Sequence, residues 1–137
     1  MTGDRGDPAQ VGPYRLEALL GQGGMGHVFR AVDPAGRRVA LKLVKSADAA
    51  ANARFQREGE LAARLLHPGI VRIHAAGSDA GRLYLACELV EGARPLNAVC
   101  ESEPVAAALE RIIQLVDAVA AAHAVGVVHR DLKPENV

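Results

Sequence analysis

The sequence predicts an α+β fold in which a five-stranded antiparallel sheet with one helix is followed by a mainly helical segment. Residues that favour strands occur in short runs before residue 46, and apolar residues take up helical spacing after Ala49. Two more strand-like runs and a longer helical pattern then complete the chain. Strands and helices in separate runs are typical of α+β folds. The 137 residues have the size of one ordinary domain.

The first three strands are predicted to form a meander. Strand-like runs extend from Tyr14 to Gly21, from His27 to Asp33 and from Arg38 to Lys45. Pro34-Ala35-Gly36 joins the last two and has the composition of a turn. Residues 1–12 contain Gly and Pro without apolar periodicity, so we expect a flexible leader, with order beginning near Tyr14.

The first helix is predicted from Ala49 to Leu66. Gly59 lies inside it and costs about 1 kcal/mol relative to Ala, so we expect tertiary packing to hold this helix in place. Strands from Ile70 to Ala76 and from Arg82 to Val90 complete the sheet. The apolar residues predicted to share one face of the helix are Phe55, Leu61, Ala62 and Leu65.

A second, longer helix is predicted after residue 102. Ser102 is a plausible N-cap, Pro104 is expected in the first turn, and Gly126 lies just past the end. The sequence therefore divides into a leader (1–12), a sheet-containing part (13–90) and a helical part (91–137). The residues that carry the helical period are Val105, Leu109, Ile112, Val116, Val119 and His123.

Composition excludes several classes of function. Lys plus Arg and Asp plus Glu are equal at 16 each, so there is no basic stripe of the kind that binds nucleic acid. No apolar run reaches the roughly 18 residues that suggest a membrane span, so we expect no membrane segment and a cytoplasmic location. Cys87 and Cys100 lack zinc-site spacing and are expected to be free thiols.

A glycine-rich segment predicts a phosphate-binding loop. Gly21, Gly23, Gly26 and Val28 follow the pattern G-x-G-x-x-G-x-V, in which backbone N–H groups can approach phosphate oxygens closely. Dinucleotide-binding proteins share the glycine pattern but need a helix after the last glycine. Here the residues after Gly26 are strand-like and reach a turn within eight positions, which favours a strand-loop-strand clamp.

Two further motifs follow in order. In Val39-Ala40-Leu41-Lys42, strand alternation places Ala40 and Lys42 on the same face. Close to the C-terminal end, residues 129–136 are His129-Arg130-Asp131-Leu132-Lys133-Pro134-Glu135-Asn136. With the glycine-rich segment, these motifs resemble those of protein kinases, and Lys133 matches the serine/threonine class, with a bacterial kinase as the expected type.

The resemblance implies an ATP site and a Mg²⁺ site, with roles carried over position by position. Lys42 would hold the α- and β-phosphates and pair with a glutamate of the first helix, either Glu58 or Glu60; counting back from His67-Pro68 favours Glu58. Cys87 corresponds to the gatekeeper, while the Glu88 carbonyl and the Val90 backbone would bind adenine. The nucleotide-binding residues so implied are Leu20, Gly21, Gly23, Gly26, Val28, Ala40, Lys42, Glu58, Cys87, Glu88 and Val90.

The same resemblance assigns the catalytic residues. Asp131 would orient the substrate hydroxyl and accept its proton, Lys133 would offset charge on the transferred phosphoryl group, and Asn136 would bind Mg²⁺. The implied reaction transfers the ATP γ-phosphoryl group to Ser or Thr hydroxyls of protein substrates. No Asp-Phe-Gly follows Asn136 in this sequence, so we expect an incomplete kinase domain that is inactive alone. The alternative is a non-catalytic nucleotide-binding or regulatory half-domain.

Overall fold

The computed structural model describes residues 9–23, 26–45 and 48–137, and the α+β class is confirmed. Within these ranges the strands are β1 (Gln10–Val11), β2 (Tyr14–Gly23), β3 (Gly26–Val32), β4 (Arg38–Lys45), β5 (Ile73–Asp79) and β6 (Arg82–Glu88). The helices are α1 (Ala49–Ala62), α2 (Leu96–Glu101), α3 (Val105–Ala124) and a 3-10 turn (Pro134–Asn136).

The described residues form two compact units. The first contains the residues up to Arg64 together with Arg72–Leu89, and the second contains Leu65–Val71 together with Val90–Val137. All six described strands and α1 belong to the first unit. The second unit includes Leu65–Val71, a segment that the predicted division at residue 90 had grouped with the sheet.

All described strands form one antiparallel sheet in the order β1-β2-β3-β4-β6-β5. The prediction of a leader up to residue 12 was wrong for residues 9–12. Val11 is only 1% exposed, and the Gly12 N–H donates to Asp79 Oδ2 at 2.8 Å, so β1 is part of the sheet. Residues 1–8 of the predicted leader lie outside the described residues.

The turn predicted at Pro34–Gly36 is confirmed. The Asp33 carboxylate accepts hydrogen bonds from the N–H groups of Ala35 and Arg37, at 3.0 and 2.9 Å. Gly36 has a φ of 82°, a left-handed conformation that favours glycine. These contacts fix the turn that connects β3 and β4.

The hydrophobic core covers one face of the sheet. Alternate residues of β3 and β4 are buried on this face, as expected for strands with one face in the core. The next residues along each strand are only half-buried, and they lie on the opposite face. The buried core residues are Val11, Tyr14, Phe29, Ala31, Val39, Leu41, Leu43 and Ala86.

Helix α1 begins at the N-cap Asp48, whose Oδ1 accepts from the Ala51 N–H at 2.8 Å. Its single buried residue is Gly59, while Leu61 is 37% exposed, so the predicted apolar face was wrong at Leu61. The physical reason is close packing: a Cβ at Gly59 would lie 2.6 Å from the Ala76 Cβ. At Gly59 the backbone of the helix therefore lies directly against the sheet, with no room for a side chain.

The second unit contains a helix that the sequence pattern did not predict, α2. Ser102 is the C-cap of α2 and its Oγ donates to the Val99 carbonyl at 2.8 Å, so its predicted role as the N-cap of α3 was wrong. Pro104, expected in the first turn, occupies the N-cap position instead. Gly126 ends α3 with a φ of 82°, as predicted. Across residues 9–23, 26–45 and 48–137, no helix has the length and apolar character needed to cross a membrane.

Candidate functional site

The face of the sheet opposite the core carries most of the predicted nucleotide-binding residues of the first unit. Lys42 pairs directly with Val28 on one side and with Leu85 on the other. Ala40 pairs with Cys87 in the same way. Directly opposed residues of antiparallel strands share a face, so these side chains form one surface, and the predicted common face of Ala40 and Lys42 is confirmed. We call this surface the site face.

The glycine-rich segment connects β2 and β3 at one end of this surface. Gly23 and Gly26 are the closing pair of the ladder, and residues 24 and 25 lie outside the described residues. Gly26 has a φ of 131°, and a Cβ there would overlap the Leu43 carbonyl oxygen at 1.9 Å. A Cβ at Gly21 or Gly23 would meet nothing within 4 Å. The backbone at these two glycines therefore borders open space that a ligand could enter.

Two bulges in β2 set which of its residues lie on the site face. The register passes from Leu16 to Ala18 and from Leu19 to Gly21, so Glu17 and Leu20 have no direct partner in β3. Each extra residue reverses the alternation of side chains along the strand. Because of the second bulge, Gly21 stands opposite Val28, and Leu20 is exposed at the edge of the same segment. The sequence pattern gave no sign of either bulge.

Helix α1 packs on the same face as Lys42. A Cβ at Gly59 would lie 3.3 Å from Leu85 Cδ1, and Leu85 is the direct cross-strand partner of Lys42. Glu58 is the residue directly before Gly59 in α1. On the helix surface it lies between Phe55 and Ala62, which are half-buried.

The other candidate glutamate, Glu60, lies between two exposed residues of α1, Gln56 and Arg64. Glu58 and Glu60 are both exposed. The helix register nevertheless places Glu58 nearer to the packed face, and this favours Glu58 as the partner of Lys42. The ion pair between Lys42 and Glu58 stays a prediction.

The end of β6 carries the predicted gatekeeper and adenine-binding segment. Burial raises the pKa of the Cys87 thiol to about 11, although the Lys42 ammonium opposes the shift, so this thiol is neutral near pH 7. The Glu88 N–H donates to the Arg72 carbonyl at 2.7 Å, and Glu88 Oε2 accepts from the Arg72 N–H at 3.2 Å. These bonds hold the end of β6 to the residue that precedes β5. Val90 follows as an exposed residue of the second unit.

The predicted catalytic residues meet within one turn of the second unit. Lys133 Nζ lies 3.7 Å from Asp131 Oδ2, and Asn136 Nδ2 donates to the Asp131 carbonyl at 2.7 Å. The Asp131 N–H donates to His129 Nδ1 at 3.2 Å. Arg130 adopts a φ of 66°, which turns the chain sharply before Asp131. The carboxylate of Asp131 is exposed and so is accessible to a substrate hydroxyl.

This turn offers one oxygen ligand for a hard cation, so most ligands of such a cation would have to come from outside the turn. Asn136 donates through Nδ2, which leaves its Oδ1 as an oxygen ligand of the kind that Mg²⁺ prefers. No cluster of three His, Cys, Asp or Glu side chains that could hold a metal occurs in the described part of the chain. A cation here would therefore depend on ligands such as phosphate oxygens and water.

His67 makes two specific contacts in the second unit. Its Nδ1 accepts from the Gly69 N–H at 2.9 Å, so in the neutral ring the proton is on Nε2. Nε2 lies 2.9 Å from Asp117 Oδ2 in α3. These contacts attach segment 65–71 to α3. A separation of 50 residues between His67 and Asp117 leaves no local sequence signal for the pair.

Comparison with known proteins agrees with this geometry. Residues 14–137 match the family model for the protein kinase domain. The chain is 41% identical over 142 residues to serine/threonine-protein kinase PknE of Mycobacterium tuberculosis, a match that covers 99% of this chain and 25% of PknE. It is 44% identical over 138 residues to PknA of the same organism, which covers 92% of this chain and 32% of PknA. The chain spans about a third or less of the length of these relatives.

A solved structure is similar over most of the chain. The crystal structure of the PknI kinase domain of Mycobacterium tuberculosis superposes with a TM-score of 0.80 at 33% sequence identity. The superposition covers 93% of this chain and 54% of the PknI chain. Both the sequence and the structural comparisons therefore lead to the same group of bacterial proteins.

Proposed function

The chain belongs to the protein kinase domain family, and on this premise we propose that it supplies the nucleotide-binding sheet and catalytic loop of a serine/threonine protein kinase. The reaction is transfer of the ATP γ-phosphoryl group to Ser or Thr hydroxyls of proteins. This proposal concerns the whole protein, because the chain covers only part of each relative. The requirement for ATP favours a cytoplasmic location for this part of the protein.

The nucleotide would bind on the site face of the sheet. Val28 and Ala40 offer an apolar surface to adenine, and Cys87 lies beside Ala40 as a small neutral side chain. Adenine recognition needs edge-on donors and acceptors between apolar faces, which the backbone of Glu88 and Val90 would supply. Leu20 would cover the adenine from the glycine-rich segment.

The phosphates would lie along the glycine-rich segment. The open space at Gly21 and Gly23 allows phosphate oxygens to approach the backbone N–H groups. Lys42, half-buried on the site face, would bring one positive charge to the α- and β-phosphates, and Glu58 would hold its ammonium in position. Gly26 maintains the close approach of this segment to β4.

The catalytic loop would act on the substrate hydroxyl. Asp131 orients this hydroxyl and accepts its proton, while Lys133 carries positive charge toward the transferred phosphoryl group. Asn136 would bind Mg²⁺ through Oδ1 while its Nδ2 fixes the Asp131 carbonyl. When bound, Mg²⁺ with ATP supplies the charge that neutralises the phosphate oxygens. The protein itself contributes positioning and fixed charges.

The single observation that carries the proposal is the contact of Lys133 and Asn136 with Asp131 in one exposed turn. The test uses the full-length protein with radiolabelled ATP, Mg²⁺ and a generic Ser/Thr substrate, followed by identification of the phosphorylated amino acid. We expect phosphoserine or phosphothreonine that disappears in the Asp131→Asn variant. Binding of ATP without any transfer would instead support a non-catalytic nucleotide-binding module.

The 137-residue chain by itself is expected to show no phosphotransfer. Asn136 is the single residue of its sequence that matches a metal-binding position of the family motifs, since no Asp-Phe-Gly follows it. The same radiolabel assay on residues 1–137 would contradict this expectation if it gave Asp131-dependent phosphorylation.

A further inference from the structure

The first bulge of β2 is held by an unusual concentration of arginines. Glu17 is the bulged residue, and its carboxylate faces one arginine from each of the strands β2, β3 and β4. Arg30 Nε donates to Glu17 Oε2 at 3.2 Å, and Arg38 Nε lies 3.8 Å from the same oxygen. Arg15 Nη2 lies 3.8 Å from Glu17 Oε1. One carboxylate therefore links three adjacent strands.

The bulge at Glu17 and the second bulge at Leu20 together decide the face of the β2 residues from Gly21 onward. With both bulges, Ala18 stands opposite Arg30, and Gly21 stands opposite Val28 on the site face. Loss of the extra residue at Glu17 would move the strand by one position, and side chains that now point to one face would point to the other. With the second bulge still placed between Phe29 and Val28 of β3, Leu20 would then stand opposite Val28 in the place of Gly21. A leucine side chain would occupy the open space that now borders Gly21.

Ordinary surface ion pairs contribute about 0 to 1 kcal/mol, so a single pair at this position would matter little. Glu17 differs because its side chain is only 22% exposed and is shared by three guanidinium groups. Glutamine would keep an acceptor oxygen at this place but would lose the negative charge that attracts all three guanidinium groups. The arrangement holds an irregular strand in one register, and it does so within four residues of the glycine-rich segment.

We propose that Glu17 is a positioning residue for nucleotide binding: by fixing the first bulge of β2, it keeps Gly21 rather than Leu20 beside the phosphates. The inference rests on the proposed function, because it assigns the open space at Gly21 to ATP. Glu17 itself does not touch the nucleotide. It acts through the register of β2.

The test is the Glu17→Gln variant of the full-length protein, assayed for ATP dependence of phosphotransfer. We expect the KM for ATP to rise about tenfold, which corresponds to about 1.4 kcal/mol, while kcat changes little. Hydrogen exchange gives a readout independent of activity: peptides covering residues 16–23 should exchange faster in the variant. Glu17→Asp, which keeps the charge, should recover part of the ATP affinity.

Asp33→Asn is the matched control, because it weakens another carboxylate–arginine pair of the same sheet. Arg37 Nε lies 3.0 Å from Asp33 Oδ2, and this pair stands at a turn rather than at a bulge. It should lower stability without changing the KM for ATP. If Glu17→Gln destabilises the protein too strongly, Arg30→Gln removes the shortest contact of the same carboxylate and should raise the KM in the same direction by a smaller factor, because Arg15 and Arg38 still face Glu17.

An unchanged KM for ATP in both Glu17→Gln and Arg30→Gln would overturn the inference, even with lowered stability. Absence of ATP binding by the wild-type protein would instead overturn the proposed function and, with it, the nucleotide role given to Glu17.

Discussion

The close packing of α1 on the sheet can be tested at Gly59, because the structure leaves no room for a side chain at this position. In an exposed helix interior, Gly→Ala stabilises by about 1 kcal/mol. At Gly59 the new Cβ would lie 2.6 Å from the Ala76 Cβ and 3.3 Å from Leu85 Cδ1. The first distance is too short for two carbon atoms, so helix and sheet would have to separate.

The expected magnitude follows from these two opposing effects. Overpacking of a well-packed site costs about 1 to 3 kcal/mol, which exceeds or equals the gain in helix propensity. We therefore expect Gly59→Ala to lower the free energy of unfolding by about 0 to 2 kcal/mol, the difference between the two effects. We also expect kcat to fall by more than the loss of folded protein would explain. The reason is that the displaced helix carries Glu58 and contacts Leu85, the cross-strand partner of Lys42.

The measurement is denaturant unfolding of the full-length protein, with kcat determined in parallel. Ala76→Gly removes the atom that the new methyl group would meet, so the double variant Gly59→Ala with Ala76→Gly should regain stability and activity beyond the sum of the single effects. Gln56→Ala, at an exposed position of the same helix, controls for helix propensity. A Gly59→Ala protein that is about 1 kcal/mol more stable, with normal kcat, would refute the close packing of α1 on the sheet.

Three further predictions concern the site itself. Asp131→Asn should abolish phosphotransfer while ATP binding, measured by titration, stays within a few fold; normal turnover would contradict the assignment of the proton acceptor. Lys42→Met should reduce turnover by orders of magnitude with little loss of stability. Glu58→Gln should act in the same direction more mildly. A larger effect of Glu60→Gln would show that Glu60, and not Glu58, is the partner of Lys42. The Cys87 thiol has a folded pKa of about 11 against an ordinary 9.0, so the unfolded chain loses this proton first as the pH rises. Its contribution to stability is complete below pH 9 and is lost toward pH 11. The free energy of unfolding should therefore fall over this range, and the fall should be smaller in Cys87→Ala.

Local sequence signals determined much of this protein. Alternation along β4 was enough to place Ala40 and Lys42 on one face, because the side-chain period of a strand is fixed by its backbone. Turn chemistry at Asp33–Gly36 and the glycine after α3 were equally readable, because each depends on residues a few positions apart. Asp131, Lys133 and Asn136 came together for the same reason: they belong to one short turn.

The tertiary structure decided what depends on distant partners. Strand β1 has two residues, too few for a periodic pattern, and it exists because Val11 is buried in the core. Gly59 looks unfavourable in the sequence, and only the side chains of Ala76 in β5 and Leu85 in β6, which lie against it, explain why a side chain is excluded there. The two bulges of β2 follow from pairing with β3, since register is a property of two strands together. A single strand's sequence therefore cannot show that Glu17 and Leu20 are the extra residues, or that Gly21 consequently stands on the site face.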